Sequence, residues 1–213
     1  MMFQTRQEAG KKLVAALSFF GRKDVVILAI PRGGVVIGAE IAKERSCPLD
    51  VIITRKLGAP GNPELAIGAT TSKGGLVLDR ELIEKLEITP EYLHKEHLEQ
   101  IEEARRRERV FRGGRPEIDL IGKKVIIVDD GLATGATAEA AVKAVREKLP
   151  LKVVLAVPVA PYQTVERLRN QVDKLVCLAT PEPFYAIGEF YREFPQVSDE
   201  EVIQILQETN RIF

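Results

Sequence analysis

The chain has 213 residues, with 31 Lys and Arg against 31 Asp and Glu, and is 45% apolar and 29% charged. That length accommodates one sizeable core, and a zero net charge excludes a protein that holds nucleic acid or a membrane through bulk charge, though not a local basic pocket. Two cysteines, Cys47 and Cys177, are too few for a disulfide scaffold or a zinc cluster and fit reduced thiols in a cytoplasm.

Residues Met1 to Arg6 run straight into charged positions without the apolar core of a signal peptide. The apolar runs, such as 25–31, are far too short to span a bilayer, so a cytoplasmic location is expected. Ala9, Leu13, Ala16, Leu17 and Phe20 recur at helical spacing, with Gly21 as the stop. The continuous apolar run 25–30 predicts a strand covered on both sides. Residues 35–44 read as a helix and 49–53 as a second short strand. Gly58 to Asn62 read as a loop, and 66–71 and 76–78 as strands. Thr89 is a candidate N-cap with Pro90 at the first helical position, opening a polar helix to about Phe111.

A strand at 125–128 follows, then a helix with Ala138, Ala141, Val142, Val145 and Leu149 on one face. Residues 153–159 and 175–179 predict strands around a helix at 162–170, and Ser198 to Glu201 form a capping box for the last helix. Strands alternating with helices predict an α/β fold, a mainly parallel central sheet with helices on both faces. In such sheets ligands bind beyond the carboxyl ends of strands, which directs attention to the residues after Ile30, Ile53 and Val128.

The segment from Val125 to Thr137 reads as a strand, the carboxylates Asp129 and Asp130, a small-residue turn and a helix start. Backbone N–H groups and the hydroxyls of Thr134 and Thr137 at a helix N-terminus suit a dianionic phosphate. Two carboxylates directly before it would repel that phosphate, so they call for sugar hydroxyls or a Mg²⁺ ion. The plainer alternative is that the acids end a strand and Thr134 caps a helix. The segment is not a Walker A loop, and the chain has no GxGxxG. A receiver domain also pairs acids after a strand, but after its first one, and too little chain follows Asp130 for that domain.

Residues 125–137 resemble the PRPP (5-phosphoribosyl 1-pyrophosphate) motif of the type I phosphoribosyltransferases. Pro31-Arg32-Gly33-Gly34 resembles that family's pyrophosphate loop, and Arg55-Lys56 resembles the basic pair before its mobile catalytic loop. The stretch 55–64 is similar to a group of phosphoribosyltransferases whose acceptor is unnamed. The resemblance implies one domain: a core over about 22–180, a helical insertion over about 80–113, and a hood with the C-terminal helix over 181–213.

The same resemblance implies the chemistry: pyrophosphate displaced from C1 of the ribose by a small nitrogenous acceptor, with Mg²⁺ as cofactor. Ala133, Thr134, Gly135, Ala136 and Thr137 would hold the 5-phosphate. Asp129 and Asp130 would take the ribose hydroxyls or the metal, and Arg32, Gly33, Gly34 and Lys56 the pyrophosphate. Arg55 and Lys56 would neutralise leaving-group charge, with Gly58 to Asn62 as a lid against water. A non-proline cis peptide is expected near Arg32–Gly33. Ala133 stands where hypoxanthine-guanine enzymes usually carry Asp, which disfavours a 6-oxopurine, and Gly131 replaces the usual apolar residue. In the hood, Phe184 or Tyr185 would stack on the acceptor, or serve simply as core and surface aromatics.

Arg105, Arg106, Arg107 and Arg109 lie at pairing distance from Glu99, Glu102, Glu103 and Glu108, as on a solvated helix face; a dimer arm or active-site cover is the other reading. His94 and His97 lack a third ligand-type neighbour. A homodimer without nucleic-acid or membrane partners is expected. The alternative from another class is a PRPP- or nucleotide-sensing regulator without turnover.

Overall fold

Val25–Ala29 (β1), Leu49–Val51 (β2), Lys124–Val128 (β6), Lys152–Val159 (β7) and Lys174–Ala179 (β8) pair in parallel, in the order β2-β1-β6-β7-β8. Alternate residues of these strands enter two separate cores. Ile27, Ala29, Ile126, Val128, Val154 and Ala156 face one, while Val26, Leu28, Val125, Ile127, Val153 and Leu155 face the other. Both faces being covered explains why these strands read as unbroken apolar runs. The protein is seen here in a computed structural model that describes residues 2–21 and 23–211, and Glu64 by its backbone alone.

The first core is closed by Arg6–Ala16 (α1), Gly33–Arg45 (α2) and Asp199–Asn210 (α7), the second by Ala136–Arg146 (α5) and Tyr162–Arg169 (α6). Thr5 caps α1, its hydroxyl accepting the Glu8 N–H at 3.2 Å. The helix ends at Ala16, short of Gly21, and Leu17 and Phe20 turn their carbonyls to the guanidinium of Arg45, which is buried. The capping box of α7 is present as expected, with Ser198 and Glu201 exchanging hydrogen bonds at 2.7 and 3.1 Å.

A second sheet was not legible as a separate unit. Thr54–Ala59 (β3), Asn62–Thr71 (β4) and Leu76–Leu78 (β5) form an antiparallel sheet beside the parallel one. The expected loop at Gly58 to Asn62 is the end of the β3–β4 hairpin, where Ala59 lies opposite Asn62. Arg80–Lys85 (α3) and Pro90–Arg112 (α4) follow. Thr89 caps α4 through the Tyr92 N–H, and α4 ends at Gly113 in the left-handed region.

Glu102 and Glu103 pair with Arg105, Arg106 and Arg107 along the outer face of α4, the solvated arrangement expected. Glu108 instead turns inward to Arg112, whose buried guanidinium also pairs with Asp50 at 3.0 Å. None of the described helices is long and apolar enough to cross a membrane.

Candidate active site

β1 and β6 lie side by side, with Ala29 opposite Val128, and the Ile30 N–H donates to the Val128 carbonyl at 2.9 Å. The segments leaving these strands therefore emerge together, Pro31 to Gly34 beside Asp129 to Thr137. A non-proline cis peptide is present at Pro31–Arg32, one bond before the expected place. The cleft above them has a volume of about 830 Å³. Arg32, Gly33, Arg55, Lys56, Asp129, Asp130 and Thr137 all line it, so three sequence-distant segments share one site.

The acid pair is the most constrained part. Asp129 accepts the Asp130 N–H at 2.8 Å, and Asp130 accepts Arg6 Nε at 2.7 Å. Burial, and then the charge of Asp130, push the Asp129 carboxyl well above the ordinary carboxylate range. Arg6 also donates to the Pro195 carbonyl at 2.7 Å and lies 3.7 Å over the Phe194 ring. Tyr191 donates its hydroxyl to the Asp130 carbonyl at 2.6 Å. A side chain at position 33 would collide with this pair: a Cβ on Gly33 would stand 1.8 Å from Asp130 Oδ2 and 2.7 Å from Arg6 Nε. Gly34 lies behind the cleft, where a Cβ would meet the Val128 carbonyl at 2.8 Å.

The turn after the acids opens α5. Gly135, at φ +76, is its N-cap and has no side chain to cap it; the Ala136 N–H instead meets the Thr134 hydroxyl at 3.5 Å, the plainer role expected of Thr134, and the other first-turn N–H groups have no intrahelical partner. Thr137 lines the cleft, while Ala133 and Thr134 are exposed and Gly135 is buried. The turn is held from α6: Thr164 donates to the Ala133 carbonyl at 2.8 Å, and Arg167 reaches the Thr134 carbonyl.

Arg55 and Lys56 sit on β3 opposite Thr70 and Ala69. The hairpin is braced by α4. Gln100 accepts Arg55 Nε at 2.9 Å, Glu96 accepts the Gly58 N–H at 3.1 Å, and Tyr92 donates to the Gly58 carbonyl at 2.9 Å. Burial and then Arg107 depress the Arg55 pKa. His97 is hydrogen-bonded to Thr70 at 3.0 Å.

In the hood the two candidate aromatics stand away from the cleft. Phe184 packs on Phe190, ring centroids 4.8 Å apart, and Tyr185 is 78% exposed. Neither lines the cleft. Its wall there is Ala186, Ile187, Gly188 and Phe194, with Gln196 and Val197. The aromatic side chain reaching the cleft is thus Phe194, ten residues beyond Phe184, with Arg6 over its ring and Tyr191 packed on it.

Among the described residues no three His, Cys, Asp or Glu side chains cluster as a metal cage. Asp129 and Asp130 each keep one oxygen that no described arginine, lysine or backbone N–H reaches. That donor set fits Mg²⁺, which takes one or two carboxylates and completes its octahedron with substrate oxygens and water.

Arg6, Glu96, Gln100 and Phe194 were missed in the sequence. Tyr92, Glu96 and Gln100 recur every fourth residue, a polar stripe that marks one helix face and could have been read as a bracing surface. Arg6 carries no such signal, since it meets Asp130 across 124 residues of sequence.

The phosphoribosyl transferase domain family matches residues 6–192. Two relatives from Mycobacterium tuberculosis strains, CDC 1551 / Oshkosh and ATCC 25618 / H37Rv, bear the name "Putative phosphoribosyl transferase". Each is 43% identical over 212 residues, covering all of this chain and 48% of the relative. The chain thus spans about half the length of the curated relatives it matches. The crystal structure of TT1426 from Thermus thermophilus is 42% identical, with a TM-score of 0.82 over 98% of this chain and 99% of that one. A Neisseria gonorrhoeae protein solved with bound ppGpp shares the fold at 14% identity and a TM-score of 0.52, over 97% of this chain and 96% of that one. With residues 6–192 accounted for by a single family, and the parallel sheet, acid pair and glycine loop in its order, the chain belongs to the type I phosphoribosyl transferase family.

Proposed function

We propose that the chain binds PRPP in this cleft and transfers its phosphoribosyl group to a small nitrogenous acceptor, releasing pyrophosphate in a Mg²⁺-dependent reaction. The observation that carries the reading is the convergence of Arg32, Arg55, Lys56, Asp129, Asp130 and Thr137 on one cleft at the carboxyl ends of β1 and β6. A phosphate, a diol and a pyrophosphate on one ligand match a helix N-terminus, two carboxylates and a set of cations in that order.

The first turn of α5 takes the 5-phosphate through its N–H groups and the Thr137 hydroxyl. Asp129 and Asp130 accept hydrogen bonds from the ribose hydroxyls. The C1–O bond to pyrophosphate breaks as the acceptor nitrogen bonds to C1, through a transition state with oxocarbenium character. Arg32, Arg55 and Lys56 meet the charge that builds on the leaving group, and the partial burial of Arg55 reduces its screening. Asp129 and Asp130 would hold Mg²⁺, which would add to the neutralisation of the pyrophosphate. Ile187 and Val197, with Phe194 beside them, form the apolar wall that an acceptor meets. Ala133 offers no carboxylate to a purine ring, and a 6-oxopurine is disfavoured.

One observation favours the second reading, a PRPP- or nucleotide-binding regulator: the β3–β4 hairpin is braced by Tyr92, Glu96 and Gln100 where a free lid was expected. One assay decides. Purified protein with PRPP, Mg²⁺ and a broad panel of bases is expected to release pyrophosphate with at least one base. PRPP binding without release from any of them would replace transferase by regulator.

A further inference from the structure

Arg6 has no place in the chemistry above, yet it is the cation in closest contact with the acid pair. Its side chain is 8% exposed, and its donors are divided between two units of the fold: Nε to Asp130 at 2.7 Å, Nη1 to the Pro195 carbonyl at 2.7 Å. The guanidinium plane lies 3.7 Å over Phe194, which itself lines the cleft. Tyr191 also packs on Phe194, but it reaches only the backbone carbonyl of Asp130. Arg6 instead joins the carboxylate itself to the acceptor wall. Space is kept for it, since any side chain at Gly33 would overlap Asp130 and crowd Arg6 Nε.

We infer that Arg6 is a positioning residue for PRPP, acting through Asp130; the inference rests on the PRPP reading of the cleft. Two adjacent carboxylates facing a polyanionic ligand repel both it and each other. Arg6 cancels one of those charges and fixes the Asp130 rotamer, so that one oxygen is turned away and the other stays open to the ligand. The fork geometry matters, because a lysine ammonium cannot hold Asp130 and Pro195 in one plane. The same guanidinium seats Phe194, so the sugar subsite and the acceptor wall are set by one side chain.

A merely structural Arg6 would tie α1 to the hood and do nothing else. That tie has its own reporters: the Arg192 and Glu193 N–H groups donate to the carbonyls of Phe3 and Gln4 at 2.8 and 2.9 Å. The test measures PRPP affinity by calorimetry at fixed Mg²⁺ for the wild type, Arg6→Gln and Arg6→Lys, with hydrogen exchange at Arg192 and Glu193. Arg6→Gln is expected to weaken PRPP about tenfold or more, as loss of a buried charge-assisted contact does, with both amides still protected. Arg6→Lys is expected to recover part of the loss. Unchanged affinity in Arg6→Gln overturns the inference, and so does a loss that comes with loss of protection and no recovery by lysine. If the wild type binds no PRPP, the PRPP reading itself fails and takes the inference with it, whereas binding by the wild type with an indifferent Arg6→Gln fails Arg6 alone.

Discussion

At Gly131 a Cβ would stand 2.6 Å from Ile187 Cγ2 and 3.1 Å from Val159 Cγ1. The apolar side chain expected after the acid pair is missing because the hood descends onto that point and supplies Ile187 instead. Substitution there should overpack the junction between β6 and the hood. Gly131→Ala is expected to cost about 1–3 kcal/mol in urea unfolding, with Ile187→Ala in the same background returning part of it. Equal costs in both backgrounds would show that Ile187 is not the obstacle. Gly33 follows the same logic against the Arg6–Asp130 pair. Neither glycine's neighbour lies close in sequence, so neither reason could be read from the chain.

Element boundaries followed local chemistry closely where the signal was local. The Thr89 and Ser198 caps, the apolar runs of β1, β6 and β7, and the outer ion pairs of α4 all stand where composition and spacing put them. The hairpin did not, because Gly58, Pro60 and Gly61 punctuate it and its pairing partners lie up to 17 residues apart, as for Thr54 and Thr71. The role of α4 was half legible. Its outward glutamates and arginines announced a solvated face, but the inward stripe that braces Arg55 became meaningful only once β3 lay beneath it.

The outer face gives a pH test. Hydrogen bonds from Arg106, and then Arg107, lower the Glu103 carboxyl to about 2. A carboxyl depressed on folding stabilises the fold above its unfolded value of about 4.5, and that contribution is lost as the pH falls towards 2. Glu103→Gln is therefore expected to be less stable than the wild type at pH 6, by about 1 kcal/mol or less, with the gap narrowing at pH 3. A gap that does not change between the two would remove Glu103 from the acid sensitivity of the fold.

Across the whole molecule, 31 positive and 31 negative side chains sum to zero and are distributed unevenly around one cleft. Arg32, Arg55 and Lys56 face it from the α2 start and the hairpin, Asp129 and Asp130 from the end of β6, with Arg6 damping the acid side. The parallel sheet and these three segments were legible because their signals lie within a few residues of strand ends, where an α/β sheet binds ligands. The contacts of Arg6 with Asp130 and Pro195 span 124 and more residues and emerged only from the assembled fold. In the proposed function the acid pair is the sugar end of a PRPP site. Calorimetry of PRPP with Mg²⁺ against the wild type and the Asp129→Asn/Asp130→Asn double variant tests it most directly. The expected result is binding by the wild type and none by the folded variant; equal affinity in the two would place the sugar elsewhere than at Asp129 and Asp130.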